Sequence, residues 1–275
     1  LANDSPTPST NPTPAISEIA TGLNIYTFQG LAVNNGNFIL PTLDSKLLQV
    51  SPDGKVSTLV QFCEGFECGN FGAPFGIAIR RDEIFLTITP YAYGGRLVRV
   101  NSDKSVTTIA DLESVCEEGG PFGLTISNGN FIITTAKHAV NSEGLLVRVT
   151  PSGRVSIIAD VSEFGIPFAV IASNNNFIVT QERGQLLRVS PTGKISVIVN
   201  LLKADLGIPL AVVERNDEFV VTTNSGLLVR VTPQGKVATF AKLSRDEQGI
   251  PSGIISVDDS LIVSTTAGKL LRVKM

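Results

Sequence analysis

No apolar run in the sequence approaches the roughly 18 residues that a bilayer-spanning helix needs, so no helical membrane span is expected. Charge of one sign is missing too. Lys and Arg number 22 against 25 Asp and Glu, a net of -3 with both signs interspersed, which leaves no basic footprint for nucleic acid or an anionic membrane. Methionine occurs once, and 25 Gly and 15 Pro punctuate short runs of Val, Ile, Thr and Phe, the pattern of an all-β chain. No Ser-nucleophile elbow, P-loop or dinucleotide glycine pattern stands in the context it requires.

Cysteine is scarce, at three residues. Cys63 and Cys68 flank a four-residue loop, Glu64 to Glu67, and Cys116 falls at the equivalent place one repeat later. A structural zinc site would need a fourth ligand, and the single histidine is distant in sequence. A disulfide is the expected use, and the pairs 63–68, 63–116 and 68–116 all remain open. Residues 1–14 hold four prolines and almost nothing that can be buried, so they are expected to be a flexible tether. Together with the absence of an initiator Met this leads to the expectation of an exported protein, periplasmic or extracellular, whose signal peptide has been removed; a chain trimmed at Leu1 would read the same.

What the sequence does hold is a repeat of about 42 to 47 residues, occurring six times. The clearest unit starts at Pro121-Phe122-Gly123-Leu124-Thr125-Ile126, turns at Asn128-Gly129, and continues through Phe131-Ile132-Ile133-Thr134-Thr135. A connection from Ala136 to Glu143 leads to Leu145-Leu146-Val147-Arg148-Val149, and the turn Thr150-Pro151-Ser152-Gly153 leads to a fourth strand ending at Ala159. Four antiparallel strands per unit, six times over, predict an all-β, six-bladed β-propeller spanning residues 15–275 as one domain. The sixth unit supplies only three strands. Ala15-Ile16-Ser17-Glu18-Ile19-Ala20 resembles the fourth strands, so it is expected to complete the last blade and close the ring.

The recurring Pro74-Phe75-Gly76-Ile77-Ala78-Ile79, Phe85-Leu86-Thr87 and Arg96-Leu97-Val98-Arg99-Val100 resemble NHL-type six-bladed propellers, a group that includes SMP-30/gluconolactonase and strictosidine-synthase-like proteins. The resemblance covers residues 15–275 and implies fold more than chemistry. It also implies that a lactonase would hold a divalent metal through Glu, Asn and Asp at the entrances of the first strands. Here that column reads Gln29, Phe75, Phe122, Phe168, Leu210 and Ser252, without a carboxylate. No cofactor is therefore expected, and a divalent cation such as calcium is disfavoured.

The same column is a candidate floor for an apolar or aromatic ligand, with Gln29 and Ser252 as polar markers; packing as core is the plainer expectation. His138, in the Ala136–Glu143 connection beside Lys137, is the natural acid/base candidate. Tyr91 and Tyr93 of the preceding blade could share that catalytic role, and Glu182 with Arg183 of the following blade could complete a polar rim. An Arg column, Arg99, Arg148, Arg188, Arg230 and Arg272, recurs once per blade and points to a structural role. The long loops cluster in the first three units, so that face is the expected site of function. Two functions are compatible with these residues. One is a monomeric binding module for a small apolar or aromatic molecule or a protein; the other is an enzyme performing cyclisation, condensation or hydrolysis at the channel mouth.

Overall fold

The structure, a computed structural model, describes residues 14–26, 30–62, 72–89, 94–138 and 141–275. After β1 (Ile16–Ala20), blade 1 comprises β2 (Ala32–Asn34), β3 (Asn37–Pro41), β4 (Lys46–Val50) and β5 (Val56–Gln61). Blade 2 comprises β6 (Ala73–Arg80), β7 (Glu83–Thr89), β8 (Arg96–Val100) and β9 (Val106–Asp111). Blade 3 follows with β10 (Pro121–Ser127), β11 (Asn130–His138), β12 (Glu143–Val149) and β13 (Val155–Asp160). Blade 4 holds β14 (Pro167–Ser173), β15 (Asn176–Gln181), β16 (Gln185–Val189) and β17 (Ile195–Asn200). Blade 5 holds β18 (Pro209–Arg215), β19 (Glu218–Thr223), β20 (Leu227–Val231) and β21 (Val237–Lys242). Blade 6 is made of β22 (Pro251–Val257), β23 (Ser260–Thr265), β24 (Leu270–Lys274) and, beside β24, β1.

That last pairing is the ring closure expected from sequence: Ile16 faces Val273 and Glu18 faces Leu271 in antiparallel register. No described helix is long and apolar enough to cross a membrane.

Successive side chains of a strand point to opposite faces, and here each face meets a different neighbour. In β11, Phe131 and Ile133 join a core with Phe85 and Leu97 of blade 2, while Ile132 between them joins Val170, Phe177 and Leu187 of blade 4. The same division recurs around the ring. Blades 4 and 5 share Ile178, Leu186 and Phe219, and blades 5 and 6 share Val220, Leu228 and Val263. Blades 6 and 1 share Ile262, Leu270 and Phe38, and blades 1 and 2 share Ile39, Leu47 and Leu86. The protein thus has a core at each junction between blades, and each buried Leu, Ile or Phe contributes about 1.5–3 kcal/mol.

At the axis the first strands run too close together for side chains to intervene, and their backbones are joined through hydroxyls. Thr134 Oγ1 accepts from Gly123 N–H at 2.8 Å and donates to the Phe168 carbonyl of the next blade at 3.0 Å. Thr87 makes the same relay from Gly76 to Phe122, at 2.7 Å and 2.7 Å, and Thr180 from Ala169 to Leu210, at 2.9 Å and 3.1 Å. Blade 1 has Pro41 at this place, and there Gly30 N–H reaches the Phe75 carbonyl directly at 2.7 Å.

The fourth strands are sheet edges, and each carries a bulge. Leu146 faces Ala159 and Val147 faces Ile157, leaving Ile158 over; Ile19, Leu59, Ile109, Ile198 and Phe240 are the counterparts. A bulge twists the edge away from further pairing. In four junctions the bulged residue's carbonyl lies under a turn glycine of the next blade: Ile19 under Gly54, Ile109 under Gly153, Ile158 under Gly193 and Ile198 under Gly235. These glycines have φ of 85 to 89°, and a Cβ on any of them would overlap that carbonyl. Beside them, Arg148 and Arg188 of the Arg column donate to the carbonyls of Pro191 and Pro233 in the following blade, at 3.2 and 3.1 Å.

Replacing Thr134 by Val keeps the shape and orphans both Gly123 N–H and the Phe168 carbonyl. Urea unfolding should show a loss of about 1–3 kcal/mol. Thr125→Val, which removes a hydroxyl outside the relays, should stay within about 0.5 kcal/mol of wild type.

Candidate functional site

Of the connection expected from Ala136 to Glu143, residues 136–138 and Glu143 are strand. β11 runs on to His138 and β12 begins at Glu143, with His138 opposite Glu143 in the register. The extension is held from its other side. Ala136 N–H donates to the Gly120 carbonyl at 2.9 Å, Glu118 N–H donates to the Lys137 carbonyl at 3.0 Å, and Glu118 and His138 form a parallel bridge. Gly119 allows this approach, because a Cβ there would overlap the Ala136 carbonyl. The segment starts from a short 3-10 turn, Glu113–Val115, whose first N–H is accepted by Asp111 Oδ1 at 2.8 Å.

His138 is therefore a strand residue inside a ring of carboxylates, with its side chain 21% exposed. Its Nε2 lies 2.9 Å from a Glu117 oxygen and 3.9 Å from one of Glu143, and its Nδ1 lies 3.4 Å from a Glu118 oxygen. Lys137 Nζ stands 3.5 Å from the other Glu117 oxygen.

The remaining polar rim does not converge on His138. Glu182 N–H donates to the Ile166 carbonyl at 3.0 Å and its carboxylate accepts from Ile166 N–H at 3.2 Å. Asn224 with Ile208, and Thr266 with Ile250, repeat this clasp in blades 5 and 6, so Glu182 belongs to the fold. Arg183 Nη1 donates to the Glu163 carbonyl at 2.9 Å. Gln29, Tyr91 and Tyr93 lie outside the described residues.

The first-strand column divides in two. Phe168, Leu210 and Ser252 line the axial channel, a space of about 190 Å³ whose described lining carries no ionisable side chain. Ser252 also donates to the Tyr26 carbonyl at 2.7 Å, across the closure. Phe75 and Phe122 instead meet each other edge to face, with ring centroids 5.5 Å apart. Among the described residues no group of three or more His, Cys, Asp or Glu side chains is arranged to hold a metal ion.

Cys116 is a free thiol, wholly buried in the core between blades 2 and 3, so the pairs with Cys63 and Cys68 do not form. Its place beside Leu112 and Val115 turns it inward, away from the loop that the repeat alignment assigned it to. Cys63 and Cys68 themselves lie outside the described residues. What sequence reading missed is the pairing of His138 with Glu117, Glu118 and Glu143. The usable signal was the hairpin register, which sets 138 against 143 once β11 and β12 are extended.

Six antiparallel four-stranded blades closed by β1 define the class, a six-bladed β-propeller. Solved structures share it. A catalytically inactive histidine-to-alanine variant of virginiamycin B lyase from Staphylococcus aureus, with quinupristin, is 12% identical over 95% of this chain and 99% of its own, with a TM-score of 0.68. A streptogramin B lyase is 13% identical over 95% and 97%, at 0.66. A Thermus thermophilus protein assigned as an oxidoreductase (glucose dehydrogenase) is 13% identical over 94% and 99%, at 0.68. At such identities the likeness is one of fold, and the resemblance to SMP-30 and NHL propellers stands at the same level. No family model and no curated protein matches the chain.

Burial pushes the Cys116 thiol up to about 12, so it stays protonated at pH 8. Iodoacetamide at that pH should leave Cys116 unmodified in the native protein and alkylate it in denaturant, as read by peptide mass spectrometry; native labelling would contradict its burial.

Proposed function

We propose that this propeller is an exported binding module, engaging a protein partner on the face where β11 and β12 project, without covalent chemistry. The observation that carries the reading is the placement of His138 among the carboxylates of Glu117, Glu118 and Glu143 on the extended β11–β12 edge. Those contacts tie the Glu117–Gly120 segment to the blade. The channel points the same way. Its roughly 190 Å³ is smaller than the ~300–1,000 Å³ of ordinary small-molecule sites, and its described lining carries no ionisable side chain. The projecting edge presents Glu117, Glu118 and Glu143 against Lys137 and His138, an acidic surface that suits a partner with basic side chains.

The enzyme reading has one point in its favour: a fold neighbour, a virginiamycin B lyase, is inactive as a histidine-to-alanine variant, and His138 is the single histidine of this chain. The test separates the two. Incubated with quinupristin and with a panel of aliphatic and aryl lactones, the protein should return every compound unchanged by mass spectrometry. A product formed by the wild type and lost in His138→Gln would overturn the binding reading.

A further inference from the structure

Blade 2 departs from the repeat in two turns, and both departures face the same space. The turn between third and fourth strands keeps its usual hydrogen bonds, with Lys104 N–H to the Asn101 carbonyl and Asn101 N–H to the Ser105 carbonyl, both 2.9 Å. Yet Lys104, at φ 68°, stands where blades 1, 3, 4 and 5 place Gly54, Gly153, Gly193 and Gly235. Those glycines sit directly on a bulge carbonyl of the preceding blade. A residue with a Cβ cannot sit so, and in blade 2 Lys104 and Leu59 line an open cleft instead. The turn between first and second strands differs as well. Blades 1, 3, 4 and 5 open it with Asn35, Asn128, Asn174 and Asn216, at φ of 46 to 49°, and blade 2 with Arg81 at 50°.

Among the described residues Arg81 and Lys104 are the two cations in the left-handed region, a conformation that costs a long side chain more than Asn or Gly. They line one open cleft of about 460 Å³ between blades 1 and 2, within the range of ligand sites. Its apolar wall is Leu59, Val60, Ile84 and Val100. Of its other charges, Arg99 and Glu83 pair at 3.2 Å, which leaves Arg81, Lys104 and Asp82 without an ion-pair partner among the described residues and the cleft one positive charge in excess. Backbone strain kept at two neighbouring turns, where the repeat offers unstrained alternatives, points to use of the side chains it supports.

We infer that this cleft binds a small organic anion, its carboxylate, sulfonate or phosphate head held by Arg81 and Lys104 and its apolar body against Leu59, Val60, Ile84 and Val100. The site shares no residue with the His138 edge, so it stands or falls independently of the proposed function. Isothermal titration of the full chain with octanoate tests it, with 1-anilinonaphthalene-8-sulfonate and inorganic phosphate as further arms. Octanoate and the sulfonate should bind saturably. Phosphate, lacking an apolar body, should bind at least tenfold more weakly. Arg81→Asn and Lys104→Gly restore the residues of the other blades and should keep or raise the melting temperature while each weakens octanoate at least tenfold. Lys194→Asn, on blade 4, should change nothing. Absence of saturable octanoate binding to the wild type, or equal affinity in the double variant Arg81→Asn/Lys104→Gly, would overturn the inference.

Discussion

Every blade of this protein has two buried faces, and that constraint governs the rest. Phe131 and Ile132 are adjacent in β11 yet belong to cores on opposite sides of their blade. A blade taken alone would expose both faces, so the ring must close before any of its cores is complete. Closure falls to β1, drawn from the far end of the chain and paired with β24. At the axis the same demand appears as a backbone problem, because close-set first strands leave donors and acceptors that water cannot reach. Thr87, Thr134 and Thr180 solve it with one hydroxyl each, and Gly30 solves it without one.

A scaffold satisfied in this way uses many of its polar groups to hold itself together. The described lining of the channel carries no ionisable side chain, and Glu182 and Arg183 bond to the backbone of neighbouring loops. Polar groups not used by the repeat are found where the repeat is broken. One break is the outgrowth of β11 and β12, which carries His138 and its carboxylates; another is the pair of blade 2 turns around Arg81 and Lys104. Both lie off the axis. Each is a place where the described chain departs from its repeat.

Much of the fold was legible in the sequence. Alternation, the Asn-Gly and Pro-X-Gly turns and the short sixth unit led to four strands per blade, six blades and the closing role of residues 15–20, because each depends on local pattern and on counting. The site was legible only in part. His138 stood out by being alone, but its partners come from the Glu117–Gly120 segment and from across a hairpin whose length the pattern understated. Polar residues such as Lys137 and Glu143 hide a strand when neighbouring backbone holds it. Cys116 was assigned to a loop by repeat alignment, whereas the fold turns it into a core.

By itself the sequence determined the architecture, since period-two apolar segments and turn residues act over a few neighbours and repeat six times. Tertiary structure alone decided which face each side chain shares and with whom. Residues 41 and 134 occupy equivalent strand positions, but only the close approach of first strands makes Thr134 a relay and Pro41 an exception with its own remedy. Lys104 reads as one surface lysine among several until the carbonyl that its glycine counterparts cover comes into view. The physical reason is common to both. A repeat sets what each position is next to along the chain, and the packing of blade on blade sets what that position must satisfy.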